Sequence, residues 1–458
     1  MATATKSSKA RPAFRCTECG WTTAKWVGRC GECQEWGTVT EGGAATTGPK
    51  TTAANPSKNP ARPIAEISVD TARAVPTGIS EFDRVLGGGL VPGAVVLLAG
   101  EPGVGKSTLL LDVAATTARS GRKVLYITGE ESAGQVRLRA ERIGALDENL
   151  LLAAETDLGL TLGHVEAAQP DLLIVDSVQT IASTEVEGSP GGVGQVREVA
   201  AALIAVAKEN NLPVILVGHV TKDGSVAGPR TLEHLVDVVC QFEGDRHSRL
   251  RMVRAAKNRF GPTDEVGCFE LGEQGIVGLA DPSGLFLSHI NMLVPGTCVT
   301  VTVEGRRPLA LEVQALVVPS PLANPRRTTS GVDSSRLAMI LAVAHRHLGA
   351  RLMETDVYVS TIGGAKITEP AADIALLLAI VSALEDTALP VGTIALGEVG
   401  LAGELRPVTG LTQRLNEAAR LGFRRAIIPA TAVVDAPQGM QLLKAQSVAD
   451  AVNLVRGS

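Results

Sequence analysis

Residues 100–107, Gly-Glu-Pro-Gly-Val-Gly-Lys-Ser, constrain the fold of this chain more than any other part of the sequence. They match the pattern G-x4-G-K-[ST], which binds phosphate groups when it joins a strand to the start of a helix. The apolar run 95–99 predicts that strand, and the periodic stretch 108–118 predicts that helix. The sequence therefore predicts a nucleotide site.

The residues of this loop have distinct expected roles. Its glycines let backbone N–H groups turn toward phosphate oxygens, and the start of the helix adds a favourable dipole. Lys106 is expected to reach the β- and γ-phosphates of ATP, and the Ser107 hydroxyl is expected to bind Mg²⁺. The expected nucleotide contacts are Gly100, Gly103, Gly105, Lys106, Ser107 and Thr108.

Further apolar, β-branched runs at 124–128, 172–175 and 214–217 alternate with helical patterns. This alternation predicts an α/β domain with a mostly parallel sheet covered by helices.

The pattern changes after residue 285. Runs at 299–303 and 311–317 predict strands, and the spacing of apolar residues at 335–347 predicts a helix. We interpret this part as a separate α+β domain.

Acidic residues follow two of the apolar runs. Asp176 ends the run 172–175, where the second Mg²⁺ ligand of such a site is expected. Taken alone, an ordinary buried strand ending in a helix N-cap would be the better interpretation, but the nearby loop favours the metal. Glu130 and Glu131 follow 124–128, and one of them is expected to orient the attacking water. A solvated pair of acids is the alternative.

Four cysteines near the N-terminus form two Cys-x2-Cys pairs, Cys16 with Cys19 and Cys30 with Cys33. Two such pairs supply the four thiolates of a tetrahedral Zn²⁺ site, and four cysteines leave no open position for catalysis. So short a segment cannot bury much surface, so the metal is expected to fold it. A redox pair or unrelated thiols are the alternative. Residues 41–65 predict a flexible linker by composition.

The net charge of −5 predicts no global basic surface, so any surface for nucleic acid has to be local. Residues 1–12 lack the apolar core of a signal peptide, and there is no uninterrupted apolar run of about 18 residues. We therefore expect a cytoplasmic protein without a membrane partner.

Three features together resemble the bacterial RadA/Sms family of RecA-like recombination and repair ATPases. They are Tyr-Ile-Thr-Gly-Glu-Glu-Ser at 126–132, Lys-Asn-Arg-Phe-Gly at 257–261 and the zinc ribbon. The resemblance implies that Glu130 is the catalytic glutamate and that His219 senses the γ-phosphate. It also implies that Lys257 and Arg259 reach into the nucleotide site of a neighbouring subunit, in a ring expected to have six subunits.

The residues around Lys257 support that role by their own pattern. Residues 246–259 contain six Lys or Arg and no acid. Lys257 and Arg259 stand two apart before Phe-Gly-Pro, which predicts a turn that presents both cations on one side. Cations supplied in trans offset the charge of a phosphoryl-transfer transition state. A solvated strand edge is the alternative, which we prefer for Arg249.

Two glycine-rich segments, 187–194 and 222–230, are predicted loops. RecA-like proteins place their contacts with single-stranded DNA at such positions, and Lys222 and Arg230 offer contacts to phosphate. The segments contain no aromatic residue, so binding is expected to be sequence-independent and salt-sensitive. Ordinary mobile loops are the alternative.

Residues 355–430 resemble the proteolytic domain of the Lon family, for example in Glu-Pro-Ala-Ala-Asp at 369–373. That family uses a Ser–Lys dyad. Here Ala371 occupies the serine position and Thr412 the lysine position. We predict a domain without proteolytic chemistry that serves as a scaffold for the ring.

Together these features predict a RecA-like P-loop ATPase core with a zinc ribbon before it and a Lon-protease-like domain after it. The predicted bounds are 14–40 for the ribbon, 41–65 for the linker, 66–284 for the ATPase domain and 285–458 for the last domain. The leading hypothesis is a DNA-dependent ATPase motor of recombination and repair that uses ATP, Mg²⁺ and Zn²⁺. It would bind single-stranded and branched DNA, drive branch migration, and contact recombinase or replisome proteins through its ribbon. An ATP-dependent protease and a regulatory ATPase without DNA are the alternatives.

Overall fold

A computed structural model describes residues 13–42, 63–66, 72–219, 232–244, 249–287 and 293–456. The chain divides into two compact units, Met1–Ser68 and Val69–Ser458. Most of the predicted linker 41–65 lies outside the described residues.

The first unit contains a three-stranded antiparallel sheet with the order β2-β1-β3. Its strands are β1 (Ala13–Cys16), β2 (Thr22–Thr23) and β3 (Val39–Gly42). The apolar cluster beneath them consists of Cys16, Cys30 and Val39 with a few partly buried neighbours. Two of the predicted zinc ligands therefore belong to the core of this small sheet.

The second unit begins with a nine-stranded sheet of order β12-β11-β10-β9-β4-β8-β7-β5-β6. The six strands from β9 to β6 are parallel, and β10 to β12 extend the sheet as an antiparallel meander. The strands are β4 (Val95–Gly100), β5 (Val124–Thr128), β6 (Leu150–Ala154), β7 (Leu172–Asp176), β8 (Val214–His219), β9 (Val238–Gly244), β10 (Leu250–Asn258), β11 (Val266–Gly272) and β12 (Gly275–Gly278).

Helices cover both faces of this sheet. They are α1 (Ser80–Leu86), α2 (Lys106–Arg119), α3 (Ala133–Arg142), α4 (Leu158–Ala168) and α5 (Val193–Asn210). Alternate residues of β4 pack on opposite sides: Val96 lies in the cluster with α2, and Leu97 in the cluster with α5. A strand covered on both faces is apolar at every position, which explains the continuous apolar runs of the sequence.

Side chains at the N-terminal ends fix where several helices begin. Ser132 and Gln135 form a reciprocal capping box at α3, and Asp157 accepts a hydrogen bond from the backbone N–H of Leu160 at α4. Such caps satisfy backbone donors that a helix start leaves unpaired.

The second sheet has seven strands in the order β15-β16-β14-β13-β17-β20-β21. Its strands are β13 (Thr297–Glu304), β14 (Arg307–Pro319), β15 (Arg327–Ser330), β16 (Thr355–Thr361), β17 (Thr393–Ala395), β20 (Arg425–Pro429) and β21 (Gln441–Ala445), and β18 (Glu398–Val399) pairs with β19 (Leu405–Arg406). The helices are α6 (Ser334–Leu348), α7 (Asp373–Glu385), α8 (Leu411–Arg420) and α9 (Val448–Arg456). The predicted strands at 299–303 and 311–317 and the predicted helix at 335–347 are confirmed within β13, β14 and α6.

The two sheets share an apolar cluster. Leu250, Val266 and Cys268 of the first sheet pack with Leu309 and Leu311 of β14. None of the helices in the described part of the chain is both long and apolar enough to cross a membrane.

Candidate functional site

The loop 101–105 leaves the C-terminal end of the buried strand β4 and enters α2 at Lys106. A Cβ on Gly100 would lie 2.5 Å from the carbonyl oxygen of Phe242, so only glycine fits where the loop leaves the sheet. Gly103 and Gly105 have φ values of +81° and +111°, which a residue with a side chain rarely adopts. The loop therefore has the backbone that phosphate binding needs, at the start of a helix of fourteen residues.

Lys106 is folded against its own loop. Its Nζ donates hydrogen bonds to the carbonyl oxygens of Gly100, at 2.8 Å, and of Glu101, at 3.0 Å. Burial lowers the pKa of Lys106, whereas the charges of Asp176 and Glu130 oppose that shift. The ammonium group therefore lies within electrostatic reach of both acids. Ser107 and Thr108 follow in the first turn of α2 and are half-buried.

Asp176 ends β7 and is 6% exposed. Its Oδ2 accepts a hydrogen bond of 2.7 Å from the hydroxyl of Tyr126, which holds the carboxylate in place. Its Oδ1 is buried and has no hydrogen-bond partner among the described residues. A buried carboxylate oxygen without a partner is costly unless it binds a cation, so Asp176 fits the predicted Mg²⁺ ligand.

Glu130 and Glu131 face different parts of the molecule. Glu131 forms an ion pair with Arg139 of α3. Glu130 Oε1 instead lies 2.7 Å from His219 Nε2 and accepts a 2.7 Å hydrogen bond from Ser177 Oγ. The hydrogen bond with His219, reinforced by Ser177, lowers the pKa of Glu130 to about 2. Glu130 is therefore ionised, and it lies close enough to Lys106 for the two charges to interact.

His219 reaches this position because of the strand order. Strand β8 lies between β4 and β7, so its last residue, His219, lies between the loop and Asp176. The predicted DNA-contacting residues Lys222 and Arg230, in the segment that follows, lie outside the described residues.

The other glycine-rich loop was predicted at 187–194, but it ends at Gly192 because α5 begins at Val193, and it is held at its base by Gln195. This side chain is 2% exposed and bonds to both the N–H and the carbonyl oxygen of Ser183, at 2.8 and 3.0 Å, and to the carbonyl oxygen of Val186, at 2.5 Å. The loop therefore leaves the ATPase domain from a fixed base.

Lys257 and Arg259 both contact the turn at 232–237. Lys257 Nζ donates to the carbonyl oxygens of Glu233 and Val236, each at 2.8 Å. Arg259 Nη1 lies 3.0 Å from Oδ1 of the buried Asp237. A bulge between Ala255 and Lys257 shifts the register of β10 just before these residues.

Lys257 and Arg259 lie near the N-terminal ends of the parallel strands, whereas the phosphate loop lies at their C-terminal ends. Asn258 pairs with Val238, which lies beside Val96 at the start of β4, whereas Gly100 at the end of β4 lies beside Phe242. Four residues along the strand separate these two ends, a distance of about 13 Å. The loop beyond Gly100 adds to this distance. The two cations are therefore directed away from the phosphate loop of their own chain.

The four cysteines of the first unit converge. Their sulfur atoms lie within 4.8 Å of one another, with Cys16 and Cys33 Sγ 3.7 Å apart and Cys19 and Cys30 Sγ 3.5 Å apart. Four sulfurs about 2.3 Å from a central Zn²⁺ would be roughly 3.8 Å apart. A hydrogen bond from the backbone of Cys19, together with the hydrogen bond between the Cys16 sulfur and the Thr38 hydroxyl, lowers the pKa of Cys16 to about 6, which favours the thiolate. The cluster therefore supports a zinc ribbon.

The positions of the Lon-type dyad do not form a reactive pair. Ala371 is 1% exposed, whereas Thr412 is exposed. Two ion pairs involve residues close to these positions along the sequence: Arg414, itself 1% exposed, binds both carboxylate oxygens of the partly exposed Glu369 at 2.5 and 2.6 Å. The other is the pair between Arg336 and Asp373.

Sequence reasoning did not find several residues of these sites. Tyr126, Ser177 and Asp237 are ordinary strand or loop residues in sequence, and their partners are distant along the chain. A weak signal exists for Ser177, because it directly follows Asp176 at a strand end where catalytic groups collect.

Three family models match the chain. They describe a rubredoxin metal-binding domain over residues 14–41, an AAA domain over residues 60–225 and the C-terminal proteolytic domain of Lon protease (S16) over residues 342–450. The fold and the matches together define a class: a RecA-like P-loop ATPase with an N-terminal zinc ribbon and a C-terminal Lon-protease-like domain.

Curated relatives narrow the class to one family. The DNA repair protein RadA of Mycolicibacterium smegmatis is 54% identical over 458 residues, which cover 98% of each chain. The DNA repair protein RadA of Escherichia coli is 45% identical, and the match covers 96% of this chain and 98% of that one. The chain belongs to the RadA family, which confirms the resemblance drawn from the sequence. A solved KaiC-like protein of Pyrococcus horikoshii matches 45% of this chain and 99% of its own, with 25% identity and a TM-score of 0.39.

Proposed function

We propose that this chain is a DNA-dependent ATPase motor of DNA repair and recombination, which binds single-stranded and branched DNA and promotes branch migration. The observation that carries the proposal is the match over nearly the whole chain to proteins named DNA repair protein RadA. The geometry of the phosphate loop and its acids supports the ATPase part. The proposed place of action is the cytoplasm.

In the proposed hydrolysis, Lys106 leaves its two loop carbonyls and contacts the β- and γ-phosphates of ATP. Ser107 and Asp176 hold Mg²⁺, which would neutralise charge on the phosphates. Glu130 orients the attacking water, a role that its ionised state and its side-chain position support. His219, beside Glu130 and the phosphate loop, senses the γ-phosphate.

Lys257 and Arg259 complete the site of a neighbouring subunit. Their position at the other end of the strands from the phosphate loop supports this role, because neither side chain is directed at the phosphate loop of its own chain. An active site shared between subunits requires a ring or filament, and we propose a ring of six. Arg259 would exchange Asp237 for phosphate when the neighbour docks, and Asp237 would keep its 2.6 Å ion pair with Lys208.

DNA is proposed to bind at the segments 187–194 and 222–230, with Lys222 and Arg230 contacting phosphates. The zinc ribbon would dock recombinase or replisome proteins. The Lon-like domain would be a scaffold without proteolytic activity, since Ala371 and Thr412 occupy the positions of the serine and the lysine.

The test is ATP hydrolysis with and without single-stranded DNA, together with images of the particles. We expect DNA to stimulate hydrolysis by the natural protein. Arg259→Ala should retain ATP binding and lose about 10³-fold or more in rate, as loss of a trans-acting cation does. Arg249→Ala is the matched control, because its side chain is 79% exposed and 3.7 Å from Glu270. An equal rate of ATP hydrolysis with and without DNA would refute the proposal of a DNA-driven motor.

Mixed assemblies test the shared site. Lys106→Ala and Arg259→Ala subunits each lack one half of a site, and a mixed ring contains some junctions with both halves intact. We expect mixing to restore part of the ATPase activity. If co-assembly is verified and activity stays at the level of the single variants, Arg259 does not act across the interface.

A further inference from the structure

The turn between β13 and β14 carries the Lon-like domain into contact with the ATPase sheet. Glu304 lies 2.6 Å from Arg254 of β10, and Arg306 lies 2.8 Å from Asp264. Gly305 has φ +61°, and a Cβ there would lie 2.2 Å from the carbonyl oxygen of Asp264. The turn therefore packs directly against Asp264, just before β11, and its path is fixed by backbone contact as well as by charge.

Arg307, the first residue of β14, is more deeply buried than Glu304 and Arg306 of the same turn. Its side chain is 10% exposed and forms an ion pair with Glu81 of α1, which is 2% exposed. The same guanidinium donates to the carbonyl oxygens of Leu279 and Ala280, at 2.7 and 2.6 Å. Glu81 also accepts a 3.0 Å hydrogen bond from the backbone N–H of Cys268. Arg307 thus joins the Lon-like domain to one end of α1 and to the end of β12.

The other end of α1 holds the segment that carries Arg259. Asn258 Nδ2 donates to the carbonyl oxygens of Val85 and Leu86, at 3.3 and 3.2 Å, where the helix ends. Gly87 and Gly261 approach so closely that a Cβ on either would lie 3.1–3.2 Å from the other's Cα. The position of α1 therefore determines where Asn258 and Gly261, on either side of Arg259, are placed.

We propose that Arg307 is a positioning residue for Arg259 and Lys257, so that the Lon-like domain sets, through α1, how these cations meet the neighbouring subunit's nucleotide. This inference rests on the proposed trans role of Arg259. Helix α1 has only seven residues, so it passes a displacement from Glu81 to Leu86 as a rigid body. The Lon-like domain, without chemistry of its own, then regulates hydrolysis by its position.

The first test is Arg307→Ala in the full chain, with Arg306→Ala as matched control. Arg306 belongs to the same turn and bridges the same two domains, but its ion pairs are with Asp264 and Glu265, not with α1. We expect Arg307→Ala to lower kcat about tenfold or more and leave KM for ATP unchanged, because small misplacement of a catalytic group costs rate rather than ground-state binding. Arg306→Ala should keep kcat near that of the natural protein.

Complementation separates positioning from a general loss of structure. Arg307→Ala subunits retain their own phosphate loop and lack a well-placed Arg259. They should regain activity when mixed with Lys106→Ala subunits, and they should gain none when mixed with Arg259→Ala subunits. A variant damaged throughout would be rescued by neither.

A second variant covers the case in which Arg307→Ala does not fold because the buried Glu81 has lost its ion pair with Arg307. Glu81→Gln with Arg307→Gln removes both charges together, and it should show the same low kcat and the same complementation. Normal kcat in this double variant or in a folded Arg307→Ala, with Arg259→Ala inactive, would overturn the inference and leave the proposed function standing. Normal kcat in Arg259→Ala would instead overturn the trans site itself. Rescue of either Arg307 variant by Arg259→Ala subunits would show that Arg307 acts elsewhere.

Discussion

Replacing Tyr126 with Phe removes one oxygen atom from the wall of the nucleotide site and leaves the ring in place. That hydroxyl donates a 2.7 Å hydrogen bond to Oδ2 of Asp176, and both residues are buried. Burial and the adjacent carboxylate raise the pKa of Tyr126 well above its ordinary value, so it remains a donor. Without it, the proposed Mg²⁺ ligand loses the contact that orients it.

The size of the effect follows from that single bond. A hydrogen bond to a charged group contributes about 1.5–3 kcal/mol. Each 1.4 kcal/mol corresponds to about tenfold in an equilibrium constant, and the loss of a residue that orients a metal ligand typically lowers metal affinity about 10- to 100-fold. We therefore expect the contribution of Mg²⁺ to nucleotide binding to fall by at least on the order of tenfold.

Calorimetric titration of a non-hydrolysable ATP analogue, once with Mg²⁺ and once in EDTA, isolates that contribution as the ratio of the two affinities. Tyr126→Phe should lower the ratio and leave the affinity in EDTA unchanged. Tyr358→Phe is the matched control, since the sequence has two tyrosines and this hydroxyl lies 3.5 Å from Asp356 in the other domain. An unchanged ratio in Tyr126→Phe would refute the view that Asp176, held by Tyr126, binds the metal.

Three further outcomes are expected. Lys106→Ala should abolish ATP hydrolysis and weaken nucleotide affinity while zinc content stays the same; hydrolysis near the natural rate would contradict the assigned site. One zinc ion per chain should survive dialysis against a weak chelator. Replacing Cys16 and Cys33 with Ser should remove it without preventing oligomerisation; full zinc content in that protein would end the assignment. Replacing Ala371 with Ser and Thr412 with Lys should not produce ATP-dependent cleavage of casein, because the first position is buried and the second exposed; cleavage that tracks the two substitutions would contradict this.

The elements that the sequence predicted well are those with local causes. The run at 124–128 is β5 in full, because each of its residues is buried between two layers of helices. Helix α2 begins two residues before the predicted position 108, because Gly105, with positive φ, ends the loop and allows Lys106 to adopt helical backbone. The position of Asp176 at the end of β7 was predictable from the apolar run before it, whereas its role as a Mg²⁺ ligand stays a prediction.

The contacts that sequence reasoning missed depend on distant parts of the chain. Arg307 and Glu81 are 226 residues apart and belong to different domains, and no local pattern marks either as a member of a pair. Strand β14 begins four residues before the predicted run at 311, because Arg307 and Pro308 extend it into the contact between domains. Alternation alone does not distinguish a solvated arginine from Arg251, which is 7% exposed.

Strand β10 contacts the phosphate loop near its first residue and adjoins the proposed trans-acting cation at its last residue. Near its first residue, Arg251 Nε donates a 3.0 Å hydrogen bond to the carbonyl oxygen of Val104, inside the phosphate loop of the same chain. Its last residue, Asn258, is followed by Arg259, the cation that we propose acts at the nucleotide site of the neighbouring subunit. The strand is bonded to β9 and β11 on either side and spans about 27 Å, so it cannot stretch. In a closed ring, each β10 would connect the phosphate loop of its own subunit to the cation that we propose serves the neighbouring subunit's ATP, so a movement at one nucleotide site would be passed to the next through a single strand.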